Sequence, residues 1–145
     1  MRGLFYGPQT REPMRAVRQV RLVAGMGIAG DRYAAAGADR PERQVTLIES
    51  EALEAALRDY GVTLEAADTR RNIVTAGVAL NHLVGATFAV GEATLRGVKL
   101  CEPCGHMERL CGRKGAVRAL VHRGGLNAEI VAGGAVRVGD PVAPT

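Results

Sequence analysis

NIVTAGVALNHLVGATFAVGEATLR, residues 72–96, is the stretch on which the fold turns. Residues 72–75, 87–90 and 93–96 are runs of four with β-branched or aromatic members, and Gly77, Gly85 and Gly91 punctuate them. Such runs read as strands joined by glycine turns. A doubly wound sheet would instead need long helices between its strands, and one convincing helix is present. Upstream, Val45-Thr46-Leu47-Ile48 is a further β-prone run. The helix follows it directly. Ser50 is its candidate N-cap, Glu51 and Glu54 stand in its first turn, and Gly61 suits the C′ position. Leu53, Ala56, Leu57 and Tyr60 fall on one face at helical spacing.

Further outward, Val17, Val20, Leu22 and Val23 predict an early strand after Pro13, and residues 25–33 (GMGIAGDRY) a glycine-punctuated loop. A second helix is expected over 115–122. Two closing strands, at 128–131 and 135–138, flank Gly133-Gly134. The expected architecture is mainly β with short helices (α+β), a closed or partly open β-barrel with helical insertions. All of residues 1–145 are expected to form one domain.

Composition narrows the function. Of 19 basic residues, 17 are Arg and only Lys99 and Lys114 are Lys. Charge is segregated: residues 1–21 hold five positives against one negative, 49–68 one against six, and 96–123 seven against two. Nucleic acid is a poor candidate partner, because five scattered aromatics offer no stacking platform. No apolar run approaches the roughly 20 residues of a membrane span, and no signal peptide follows Met1-Arg2. A soluble, cytoplasmic protein is expected. Three cysteines, an odd number, argue against a disulfide framework and for reactive or metal-binding thiols.

Two of those thiols stand in Leu100-Cys101-Glu102-Pro103-Cys104. Their spacing suits a metal knuckle or a redox pair. A zinc site would add His106 and Cys111, although Cys104 and His106 crowd one tetrahedron and no second CxxC exists. A thioredoxin-like pair would want the motif at a helix start within a βαβ unit, which the pattern does not announce. Cys111 reads as an ordinary small core residue. Cys104, between Pro103 and Gly105 with basic residues nearby, is the preferred functional thiol, with Cys101 the alternative; a neighbouring cation would raise its thiolate fraction. Gly30-Asp31-Arg32, Arg43-Gln44 and Arg70-Arg71-Asn72 each adjoin a strand end or loop. Guanidinium groups bind phosphate and carboxylate through paired donors, so these clusters are a candidate anion cradle. Arg123 and Asn127, in His122-Arg123-Gly124-Gly125-Leu126-Asn127, would join it if that segment is more than a helix stop.

Taken in order, GIAGDRY, RQVTLIE, RRNIVTAG, LNHLVGATFAVGEATLRG, LCEPC, RGGLNAEIV and GAVRVGD resemble the MOSC domain over roughly residues 17–142. That domain is named for the C-terminal part of molybdenum cofactor sulfurases and occurs also as small stand-alone bacterial proteins. The resemblance implies a barrel-like β fold and a characteristic cysteine that carries sulfane sulfur or contacts the molybdenum of a pterin cofactor. Cys104 matches the pattern in which Pro precedes that cysteine, and it is then the expected metal-contacting thiol. Arg32, Arg71 and Asn72, with Arg123 and Asn127, would hold the anionic cofactor, and a cysteine desulfurase or a molybdoenzyme would be the partner. Pyridoxal phosphate comes by family name only, because the desulfurase domain that binds it has no counterpart here. Two alternatives follow: a molybdenum-dependent reductase component acting on N-hydroxylated compounds, and a small zinc-stabilised interaction domain.

Overall fold

The computed structural model describes residues 1–32, 34 and 40–145. Tyr33, at the end of the expected glycine loop, lies outside them. Chain order is β1 (Gly3–Tyr6), β2 (Arg15–Val17), β3 (Gln19–Val23), β4 (Gly27–Ile28), β5 (Val45–Glu49), α1 (Ser50–Tyr60), β6 (Ile73–Thr75), β7 (Thr87–Val90), β8 (Ala93–Leu100), α2 (Gly105–Cys111), α3 (Ala116–Leu120), β9 (Leu126–Ala132), β10 (Gly134–Arg137) and β11 (Val142–Pro144). Eight strands form one sheet in the order β11-β7-β8-β9-β5-β6-β1-β2, and β10-β3-β4 form a second. The large sheet does not close on itself, so the open form of the expected barrel is the one observed. No described helix is long and apolar enough to cross a membrane.

β5 and β6 are the hinge of the design. They pair in parallel, Leu47 beside Ile73 and Ile48 beside Val74, while the other pairings between the named strands are antiparallel. A parallel pair needs a crossover, which α1 supplies. Both faces of this pair are covered, which is why the run at 45–48 is apolar except for Thr46. Leu47 and Ile73 face the main core with Leu22, Phe88, Leu95 and Leu126. Ile48 and Val74 face a second core against Ala52 and Ala56 of α1, Met107 of α2 and Leu120 of α3.

Three local expectations are corrected. The N-cap of α1 is Glu49, not Ser50, and no side chain caps it. The inward face of α1 is built on Ala52, Ala55 and Ala56, while Leu57 and Tyr60 stay 53% and 46% exposed. Alanines let the helix lie close on β5, and Leu53 remains partly buried in the same seam. The third correction adds elements. α2 and β11 went unread because only Met107 of α2 is buried, and Pro144 disguises an edge strand.

Candidate functional site

A row of polar side chains crosses three neighbouring strands and ends on Asn72, just before β6. Asn127 of β9 lies opposite Thr46 of β5 on one side and Lys99 of β8 on the other. Thr46 is locked to Asn72, whose Oδ1 accepts from the Thr46 backbone N–H and hydroxyl at 3.0 Å each. The Asn72 amide donates to Phe5 O at 3.2 Å. Asn72 is therefore a weld between β1, β5 and β6, with its hydrogen bonds made to the protein.

Beyond Lys99 the chain leaves β8, and Cys101 N–H still donates to Gly125 O at 2.8 Å. Glu102 and Pro103 follow, and Cys104 takes an extended conformation as the N-cap residue of α2. The helix start that a redox pair would want is thus present after Cys104. The βαβ crossover is not, since β8 and β9 run antiparallel.

Arg71 holds this loop from beneath. It is buried, and its Nε donates to Gly124 O at 2.8 Å, Nη1 to Thr69 O at 3.0 Å, and Nη2 to Cys101 O at 3.0 Å and Glu102 O at 3.4 Å. Arg70 donates to Thr10 O and Glu12 O at 2.9 and 2.8 Å. Arg32 lies 3.6 Å from Asp31 and reaches Met14 Sδ at 3.3 Å. Much of the expected anion cradle is guanidinium bound to protein backbone.

These elements enclose a cavity of about 350 Å³. Of the residues singled out in the sequence, Arg32, Arg43, Arg70, Arg71, Asn72, Cys101, Cys104 and Asn127 line it. His106, from the candidate zinc set, is there too, and Arg40, Lys99, Glu42 and Glu102 join them without having been singled out, which brings six cationic side chains against two carboxylates among the described residues. Glu42 stands 3.9 Å from Arg40, and Glu102 accepts the His122 N–H at 3.1 Å.

Asp31 and Arg123 are placed elsewhere. Asp31 is buried and accepts Gly7 N–H at 2.8 Å, steadying the segment before Arg32. Arg123 lines an open depression beside α1, where its guanidinium and that of Arg118 lie 5.7 and 5.5 Å from the centre of the Tyr60 ring. There Arg58 and Arg123 donate to Asp59 and hold its carboxyl down, from 3.8 to about 2. A depressed folded-state value adds stability above the unfolded one, lost as pH falls from 3.8 to about 2. Stability-against-pH curves of Asp59→Asn should be flatter than wild type across that interval and indistinguishable in slope at neutral pH.

The two thiols in the cavity differ. Burial pushes the Cys101 thiol up, against the weaker pull of Arg71 and Lys99 towards the thiolate. Cys104 is exposed. Cys111 belongs to neither: it lines a separate hollow of about 190 Å³ and packs against the second core. Among the described residues, no three His, Cys, Asp or Glu side chains gather to hold a metal ion, so the zinc set of Cys101, Cys104, His106 and Cys111 is not assembled.

Comparison with known proteins adds to this geometry. Residues 32–143 match the family model of the MOSC domain. Among solved structures, the YUAD protein from Bacillus subtilis is 20% identical with a TM-score of 0.80, over 97% of this chain and 91% of that one. YiiM from Geobacillus stearothermophilus is 14% identical with a TM-score of 0.75, over 99% of this chain and 73% of that one. YiiM from Escherichia coli is 19% identical with a TM-score of 0.68, over 100% of this chain and 70% of that one. At such identities these likenesses concern the fold. Comparison with curated proteins finds no match.

Proposed function

Because the chain belongs to the MOSC domain family, we infer that it carries sulfane sulfur on Cys104 beside a cavity that receives an anionic acceptor or cofactor. The observation that carries this reading is the contrast within one basic cavity between an exposed thiol, Cys104, and a half-buried one, Cys101. The thiolate is the nucleophile, so an accessible cysteine in cationic surroundings is the better sulfur acceptor. Its loading is balanced without external oxidant. The Cys104 thiolate attacks the outer sulfur of a persulfide donor, that S–S bond breaks, and the donor departs as its thiolate.

The residues present also fit a pterin molybdenum cofactor. Arg40, Arg43 and Lys99 offer cationic groups for a phosphate, Cys104 is a soft ligand for the metal, and the cavity volume falls within the range of small-molecule sites. When bound, such a group would supply the metal centre that accepts or exchanges sulfur. This chain's own part is to bind and orient it. Asn72 and Arg71 hold the strands and the cysteine loop that frame the cavity. A cysteine desulfurase as donor and a molybdoenzyme as acceptor complete the reading, in the reducing cytoplasm where free thiols persist.

Mass spectrometry after incubation with a desulfurase and cysteine tests it. One added sulfur atom is expected on Cys104, and Cys104→Ser should lower loading by about a hundredfold or more, the scale of removing an attacking nucleophile. Cys101→Ser should leave loading largely intact. Loading that disappears only with Cys101→Ser would transfer the role to Cys101.

A further inference from the structure

Lys99 and Asn127 face each other across β8 and β9 and line the cavity that holds Cys101 and Cys104. Unlike the arginines around them, neither side chain makes a hydrogen bond or ion pair with a described residue. Arg71 and Arg70 give donors to backbone carbonyls. The cavity carboxylates are also engaged, Glu42 with Arg40 and Glu102 with His122. An ammonium and an amide thus remain as cross-strand partners, with no acid among the described residues directed at them. Such a pair offers five N–H donors and selects an oxyanion.

We propose that Lys99 and Asn127 form an oxyanion seat, and that its ligand is a thiosulfate-type donor whose outer sulfur passes to Cys104. The proposal rests on the sulfur-carrier reading above and names a substrate class for it. A thiosulfate joins, in one small molecule, the two groups the cavity addresses separately: a sulfonate for the seat and a transferable sulfur for the thiol. The step balances. Cys104 first loses its proton to solvent, and the thiolate attacks the outer sulfur. The S–S bond of the donor breaks, its electron pair leaves on sulfite, and Cys104 holds the sulfur as a persulfide. No oxidant or reductant is consumed, and a thiol acceptor that attacks the outer sulfur restores Cys104. The charge of Lys99 would serve the donor by holding a dianion and the product by holding sulfite until it leaves.

The experiment uses the reduced full chain with two donors: thiosulfate, which carries a sulfonate, and cysteine trisulfide, which does not. With thiosulfate, sulfite release and persulfide mass on Cys104 are read together; with trisulfide, attack at the central sulfur expels cysteine thiolate and leaves a cysteinyl trisulfide on Cys104, whose mass is the readout. Lys99→Gln and Asn127→Leu should each raise KM for thiosulfate about tenfold or more, the size of a lost hydrogen bond to a charged group, with trisulfide loading changed less than about twofold. Lys99→Arg should keep most of the thiosulfate affinity, and inorganic phosphate should compete with thiosulfate in the wild type but not with trisulfide. If trisulfide loads Cys104 and thiosulfate does not, the seat is overturned and the carrier reading stands. Equal losses with both donors in the variants overturn it as well. If neither donor loads Cys104, the carrier reading falls with it.

Discussion

Arg71→Ala should cost about 3–5 kcal/mol of folding stability and release the cysteine loop, the scale expected when one partner of a buried polar cluster is removed. The side chain is buried, and its four contacts all end on backbone carbonyls, those of Thr69, Cys101, Glu102 and Gly124. Alanine leaves those oxygens without their donors. Urea unfolding should show a lower midpoint at similar slope. The second readout is chemical. Burial pushes the Cys101 thiol up, so in wild type its alkylation at neutral pH should be slower than that of an ordinary thiol. A loosened loop hydrates Cys101 and relieves the burial that raises its thiol, so its alkylation at neutral pH should rise. Arg71→Lys should rescue little, because one ammonium cannot span carbonyls on three separate segments. A loss below about 1 kcal/mol with unchanged Cys101 alkylation would refute the clamp.

This role for Arg71 marks the limit of what the chain discloses before it is folded. The strands were legible where physics is local. Val45, Leu47 and Ile48 are apolar because β5 is covered on both faces, and residues 87–90 and 93–96 form a hairpin around Gly91. The cluster Arg70-Arg71-Asn72 was legible as important, but not in what it does. Whether a guanidinium meets a ligand or a carbonyl depends on partners far along the chain. For Arg71 these are Cys101 and Gly124, 30 and 53 positions away. Lys99 was passed over for the opposite reason. One lysine in an arginine-rich segment carries no local signal, and only its position opposite Asn127 gives it a neighbour to act with. The face of α1 misled because leucine and tyrosine outweigh alanine in a periodicity count. In the structure, small side chains are what a closely packed helix needs.

Gly125→Ala should be at least as damaging, and for a reason that connects β5 to the cysteines. Gly125 has φ of +111°, and a Cβ there would stand 1.9 Å from Leu47 O and 3.0 Å from Leu47 C. Leu47 belongs to a central strand paired on both sides, so its backbone cannot yield. The strained backbone and the overlap together should cost about 3–5 kcal/mol, with β9 pushed away from β5. Because Gly125 O accepts the Cys101 N–H, that displacement also removes the anchor of the cysteine loop. Gly124→Ala separates the two effects. Its φ is outside the left-handed region, and its Cβ would press on Cys101 O at 2.4 Å and Pro103 Cδ at 2.9 Å, on the loop side only. Gly124→Ala should therefore lose less stability than Gly125→Ala, yet speed Cys101 alkylation as much. If instead alkylation follows stability across the two variants, the loop is not positioned by close backbone contact. Should Gly124→Ala prove the more soluble of the pair and still load sulfur on Cys104, the exposed thiol works without a rigid neighbour. Cys101 would then matter for packing alone.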